Sequence, residues 1–395
     1  MSILDGTEAA TARALAIDLA REVSSTPGND FSLVGGSTGF ALLCHELSAD
    51  APRDAAATLE PALDAIAGGE LQDPAFFAGF CGVIWAAARV LGDVDTSDID
   101  EVLLTLLSRK VWRESYDLVL GLAGLGVYAL DSLQRAPIVS RVIDLLESRA
   151  VVTDAGLTWF TPPALLHPFA RASAPEGVFD LGLAHGVSGV IALLAQAALN
   201  DVERERSRGI LDRAVPWLLA QRLPENAGSH FPDRIVVGKM PSPSRLAWCY
   251  GDLAVAAALY TAGVACRETA WIDTAKRVAR DAAVRPHEQS GVVDAPFCHG
   301  AAGVAHLFRR FHTATGDPIF ADASRRWFRE LIAMRESESF LTLRLDGAGN
   351  AQRQSVDGML EGRCGIALAL LAATNDAPPS WDRMFLVDLP TGGRS

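Results

Sequence analysis

The stretch "PFCHGAAGVAHLF" places Cys298 and His299 side by side just before Gly300, with Gly303 following. A cysteine thiolate is a strong soft ligand and imidazole the commonest metal ligand, so a Cys-His pair at a glycine turn suggests a metal site. The stretch "RLAWCYGD" carries Cys249 two residues before Gly251, the place that Cys298 holds before Gly300. Cys249, Cys298 and His299 thus form a candidate three-ligand set. Two sulfurs and one nitrogen suit tetrahedral Zn²⁺, one ion per chain, and three protein ligands leave a fourth position open, the mark of a catalytic site. The competing reading makes both cysteines small buried hydrophobes and His299 a hydrogen-bonded core residue.

Other residues share this register. His185 precedes Gly186 in "GLAHGVSG", where it would be either a fourth ligand that closes the site or a general acid/base beside it. Asp117 in "YDLVLGLAG" and Arg245 in "SRLAWCYG" lie a few residues upstream of their glycines. Asp117 would equally cap a helix, and Arg245 would equally pair with a carboxylate. Cys81 and Cys364, set between turn glycines, read as core filling, and Cys44 and Cys266 have no special neighbours. His306, on the apolar run after His299, reads as a satisfied core histidine.

The elements that must position these residues come from a repeat. Gly-x-x-Gly recurs at Gly36/Gly39, Gly79/Gly82, Gly121/Gly124, Gly186/Gly189, Gly300/Gly303 and Gly362/Gly365, and one more copy, fifth of the seven in chain order, keeps Gly251 but has Ala254 in second place. Each copy opens an apolar run of helical length, which must be buried on all sides. Amphipathic stretches such as "PIVSRVIDLLESRA" and "ETAWIDTAKRVARDAAV" lie between them, with the stripe of helices half in solvent. The pattern predicts an all-α chain folded as an α/α toroid, about seven inner helices inside about seven outer ones, with an open solenoid as the alternative. The glycines would free the helix-entry turns from steric limits and let backbones approach. In a closed ring, equivalent positions face one central space, which is why the later copies would pool their chemistry. The spacings Gly121 to Gly186 and Gly186 to Gly251 are 65 residues, against 43 and 42 for the first two. The extra chain predicts excursions at 150–182 and 222–244, with short strands, on a single domain spanning 1–395.

Bulk composition narrows the function. A formal charge of −13 disfavours a nucleic-acid partner, which needs concentrated Lys and Arg. No run is long and apolar enough for a membrane span and the start "MSILDGTEAATARAL" lacks a signal-peptide pattern, so a cytoplasmic protein that is not integral to a membrane is expected. Six scattered cysteines in that compartment point to metal or catalysis rather than disulfides.

With "GLAHGVSG", "RLAWCYGD" and "CHGAAG" in that order, each opening a buried helix, the chain resembles the lanthionine synthetase C-like family over nearly its whole length, and within it the stand-alone cyclases of class I lanthipeptide biosynthesis. The resemblance implies a seven-fold toroid holding one zinc through Cys249, Cys298 and His299. It implies addition of a cysteine thiol to dehydroalanine or dehydrobutyrine in a dehydrated precursor peptide of leader plus core, closing a (methyl)lanthionine thioether ring. His185 would be the leading proton donor or base, Asp117 and Arg245 would orient and stabilise charge, and Tyr250 would be a lesser participant. Partners would include the dehydratase and exporter of the pathway, whose complex would hold the chain at a membrane. Two rivals are a zinc-containing peptide-binding scaffold without chemistry and an α/α-barrel enzyme acting on carbohydrate. The second would rely on paired carboxylates and aromatic platforms, which the thiol and imidazole set here outnumbers.

Overall fold

The computed structural model describes residues 2–24, 30–345 and 350–392. Its long helices alternate in burial. They are α1 (Gly6–Ser24), α2 (Ser37–Leu47), α3 (Ala55–Ala67), α4 (Phe80–Leu91), α5 (Ser97–Leu107), α6 (Leu122–Leu130), α7 (Arg135–Arg149), α8 (Val187–Leu199), α9 (Arg204–Leu219), α10 (Asp252–Cys266), α11 (Thr269–Val284), α12 (Ala301–Thr315), α13 (Pro318–Met334) and α14 (Arg363–Thr374). The even-numbered helices follow the glycine turns and are buried on nearly every face; all nine residues of α6 are inside. The odd-numbered ones bury one stripe, as α11 does with Ala275, Val278, Ala279, Ala282 and Ala283. Helices α3 and α5 complete a set of outer helices that the sequence patterns reveal only in part. No described helix is long and apolar enough to cross a membrane.

The glycines serve mainly to make room. Gly36, Gly79, Gly121, Gly186, Gly300 and Gly362 all have extended backbones with negative φ, and only Gly251, at φ 86°, uses the left-handed region. A Cβ at Gly79 would lie 1.9 Å from the carbonyl oxygen of Asp73, and one at Gly303 would lie 1.8 Å from that of Phe297. In each copy the obstructing carbonyl sits six residues before the glycine, because the loop folds back across the start of its helix. That carbonyl is also used: the amide after the first glycine donates to it, Phe80 to Asp73 at 2.8 Å and Ala301 to Asp294 at 2.9 Å. The expected steric freedom therefore applies at Gly251, and close approach explains the others.

Two compact units make up the chain. The first joins Met1–Asp95, Val292–Asp346 and Ala351–Asp382. Within it, Cys298 donates to the Leu360 carbonyl at 2.7 Å, Met359 to Val34 at 2.7 Å and Val34 to Phe77 at 3.0 Å, so the turns run in the order sixth, seventh, first, second. An open solenoid would hold its first and seventh copies at opposite ends; here their backbones are bonded directly, and α1 packs on α14. The second unit joins Thr96–Gly291, Gly347–Asn350 and Arg383–Ser395. In it Leu118 donates to Ala184 at 3.2 Å and Leu183 to Cys249 at 2.9 Å, which links the third, fourth and fifth copies.

Both excursions carry strands. The first contains an antiparallel hairpin, β1 (Ala150–Thr153) with β2 (Gly156–Trp159), then β3 (Val178–Asp180). Strand β4 (Arg234–Val236), in the second excursion, pairs with β3 so that Asp180 lies opposite Arg234. A further hairpin, β5 (Thr342–Leu345) with β6 (Ala351–Gln354), fills the loop between α13 and α14.

Candidate active site

The second unit builds an acid/base cluster at the turns of the third to fifth copies. Asp117 Oδ1 accepts the Leu120 amide at 2.6 Å, so it does stabilise the turn before α6. Its Oδ2 lies 2.8 Å from His185 Nδ1. The carboxylate is thus fastened at one oxygen and orients an imidazole with the other. The His185 side chain is 38% exposed while that of Asp117 is 6% exposed, so a partly exposed ring is held by a buried anchor. Surrounding protein disfavours the charged ring, but the charge and hydrogen bond of Asp117, with Asp180 and Cys249 adding, outweigh this and lift the His185 pKa to about 9. At neutral pH the ring carries a proton to give.

Asp180 and Arg234 support this group. Asp180 accepts the Gly182 amide at 2.9 Å and the Tyr250 hydroxyl at 3.1 Å. Burial raises its pKa, and Arg234, His185 and its hydrogen bonds pull it back. The Arg234 guanidinium stands 5.1 Å from the Tyr250 ring centre, a cation–π contact, and the Tyr250 and His185 rings lie 6.4 Å apart. Burial and the Asp180 charge push the Tyr250 hydroxyl well above its ordinary pKa, so it acts as a hydrogen-bond donor and not as a phenolate. Arg245 is half-buried and its charge stabilises Asp233. Cys249 is buried, and its carbonyl accepts the amides of Leu183 and Ala184.

The first unit holds Cys298 and His299. Cys298 is half-buried and its backbone bonds Leu360. His299 is buried, and its Nε2 lies 3.1 Å from Oδ2 of Asp294, a wholly buried carboxylate. His306 is wholly buried, with Nε2 2.8 Å from Asp382, in keeping with a core histidine.

The candidate zinc ligands are divided between the units, Cys249 in one and Cys298 with His299 in the other. Among the described residues, no group of three or more His, Cys, Asp or Glu side chains is arranged to hold a metal ion. What fits zinc is donor chemistry: none of these thiols is in a disulfide, and His299 has one ring nitrogen on a carboxylate, as zinc-binding histidines usually do.

Sequence reasoning missed Asp180, Arg234 and Asp294. Asp180 and Arg234 meet only through the β3–β4 pairing. Asp294 had a signal: Asp30, Asp73, Asp180 and Asp294 all stand six residues before the first glycine of their copies.

The chain is mostly helical, with buried and half-buried helices in alternation and an imidazole-carboxylate pair at its glycine turns. The chain matches the family described as lanthionine synthetase C-like protein over residues 27–386, and it belongs to that family. Against the nisin biosynthesis protein NisC of Lactococcus lactis subsp. lactis it is 26% identical over 147 residues, a match spanning 34% of each chain. It superposes on a solved nisin cyclase with a TM-score of 0.77 at 18% identity, covering 96% of this chain and 99% of the other. The fold class is therefore the all-α, α/α toroid.

Proposed function

We propose that the chain is a zinc-dependent lanthipeptide cyclase acting on a dehydrated precursor peptide, with one Zn²⁺ held by Cys249, Cys298 and His299. Family membership and the local match to NisC support the reaction class. The observation that carries the chemistry is the Asp117–His185 pair, with the imidazole partly exposed and protonated at neutral pH.

In the reaction a peptide cysteine sulfur bonds to the β-carbon of dehydroalanine or dehydrobutyrine as the Cα=Cβ π bond breaks. The electron pair moves onto the α-carbon and its carbonyl as an enolate, and a proton then reaches the α-carbon. The proton lost from sulfur balances the proton gained at carbon, so mass is unchanged. His185 Nε2 delivers that proton, while Asp117 fixes the opposite ring nitrogen and stabilises the imidazolium. Arg234 and Arg245 supply positive charge where the enolate develops, and Tyr250 keeps Asp180 fastened beside His185. When bound, zinc would supply thiolate at neutral pH, because a free thiol near pKa 8.5 is mostly protonated there. The dehydratase of the pathway provides the dehydroamino acids, and its complex with an exporter would place the chain at a membrane.

The test combines metal analysis with a dehydrated peptide. Wild type should carry about one zinc, Cys249→Ala should lose it, and wild type alone should remove an alkylatable thiol without a mass change. Zinc retained by wild type with no thiol loss on any dehydrated peptide would favour the peptide-binding scaffold instead.

A further inference from the structure

The repeats give Asp294 an unusual history. In three equivalent places the aspartate closes a local turn onto the amide two residues ahead: Asp30 to Ser32 at 2.7 Å, Asp73 to Ala75 at 2.9 Å and Asp180 to Gly182 at 2.9 Å. Two residues after Asp294 stands Pro296, which has no amide hydrogen. The turn cannot form, and the carboxylate is directed elsewhere. Its Oδ2 takes His299 Nε2 at 3.1 Å and the Leu343 amide of strand β5 at 2.9 Å. Its Oδ1 is buried without a hydrogen-bond partner. A wholly buried carboxylate so placed is costly unless it serves a charged or metal-bound neighbour.

We propose that Asp294 is a positioning residue that holds His299 as the Nε2–H tautomer and thereby assigns metal ligation to Nδ1, with Pro296 denying it the local turn and the β5–β6 hairpin as its outer clamp. This rests on the zinc reading above. A carboxylate behind a ligating imidazole raises its basicity and fixes its plane, and removing one typically costs about 10–100-fold in metal affinity.

The experiment is a double-mutant cycle read by zinc competition against a chromophoric chelator, with unfolding curves as the control. Asp294→Ala should weaken zinc binding about 10–100-fold, and Asp294→Asn, which can still accept from Nε2–H, should recover part of that loss. In a His299→Ala background, Asp294→Ala should change zinc affinity no further. An equal loss in both backgrounds, or undiminished affinity in Asp294→Ala, overturns the proposal while leaving the cyclase reading intact. Nitrogen-15 shifts of His299 in the metal-free chain test the tautomer separately: Nε2–H in wild type supports the assignment, and Nδ1–H overturns it. Absence of zinc from wild type would overturn the metal reading itself, and the ligation assignment with it.

Discussion

Asp117 and His185, from different copies of the repeat, meet at 2.8 Å because Leu118 of one turn donates its amide to Ala184 of the next. The backbone bond between neighbouring turns sets the side-chain bond beside it. This gives the clearest expectation for pH. With a pKa of about 9, His185 is the protonated donor across neutral pH, and ring closure should decline as pH rises through about 9. Asp117→Asn removes the largest charge holding that proton, so the decline should move to lower pH. The stability contribution has the same sign: present in full below the unfolded value of about 6.5 and lost as pH passes about 9. Rate profiles of both proteins on one dehydrated peptide check this, and coincident profiles would remove Asp117 from its role.

Tyr250→Phe deletes the hydroxyl that donates to buried Asp180. A loss of roughly 1–3 kcal/mol in unfolding free energy is expected, because the carboxylate stays buried with one donor fewer. Denaturant titration gives the number, and unchanged stability would mean that the Gly182 amide and the Arg234 charge satisfy Asp180 without the hydroxyl.

Glycine substitutions should divide by available space. Gly303→Ala forces a methyl group to 1.8 Å from the Phe297 carbonyl and should destabilise by about 2 kcal/mol or more. Gly209, within α9, has nothing within 4 Å of its would-be Cβ. Gly209→Ala should stabilise by about 0.4–1 kcal/mol. Paired unfolding curves decide, and similar effects at both sites would refute the close-approach account.

Buried Asp382 joins His306 at 2.8 Å and Arg310 at 3.3 Å. Although burial alone would raise its pKa, Arg310 and His306 lower it overall. Its contribution is therefore present above the ordinary carboxylate range and lost as pH falls through the depressed folded value. Asp382→Ala should cost about 3–5 kcal/mol by breaking a buried ion pair. A calorimetric melt that matches wild type would show that the cluster rearranges freely.

The seven glycine turns and the buried runs behind them are legible in the sequence because each is a local pattern, repeated. So is His185, next to Gly186, which the structure joins to Asp117. The close approach that the glycines permit is legible too, but its partner, a carbonyl six residues back, is not, since that depends on how the loop folds. Helices α3 and α5 escape because one contains Pro61 and the other is short, which blurs the 3.6-residue period. Asp180 with Arg234 escapes because strand register is set by tertiary structure. Asp294 is visible only by setting the copies side by side and noticing that Pro296 removes a donor.

The bond from Met359 to Val34 has a consequence for synthesis. The second unit is drawn mainly from one continuous middle segment, whereas the first joins Met1–Asp95 to the distant segments Val292–Asp346 and Ala351–Asp382. A nascent chain leaving the ribosome can complete the middle turns while its opening helices still lack their neighbours. Those helices must wait, with apolar surface uncovered, until Met359 and α14 arrive. Folding should therefore end with a slow closure of high contact order, and chaperone dependence should concentrate on the N-terminal segment.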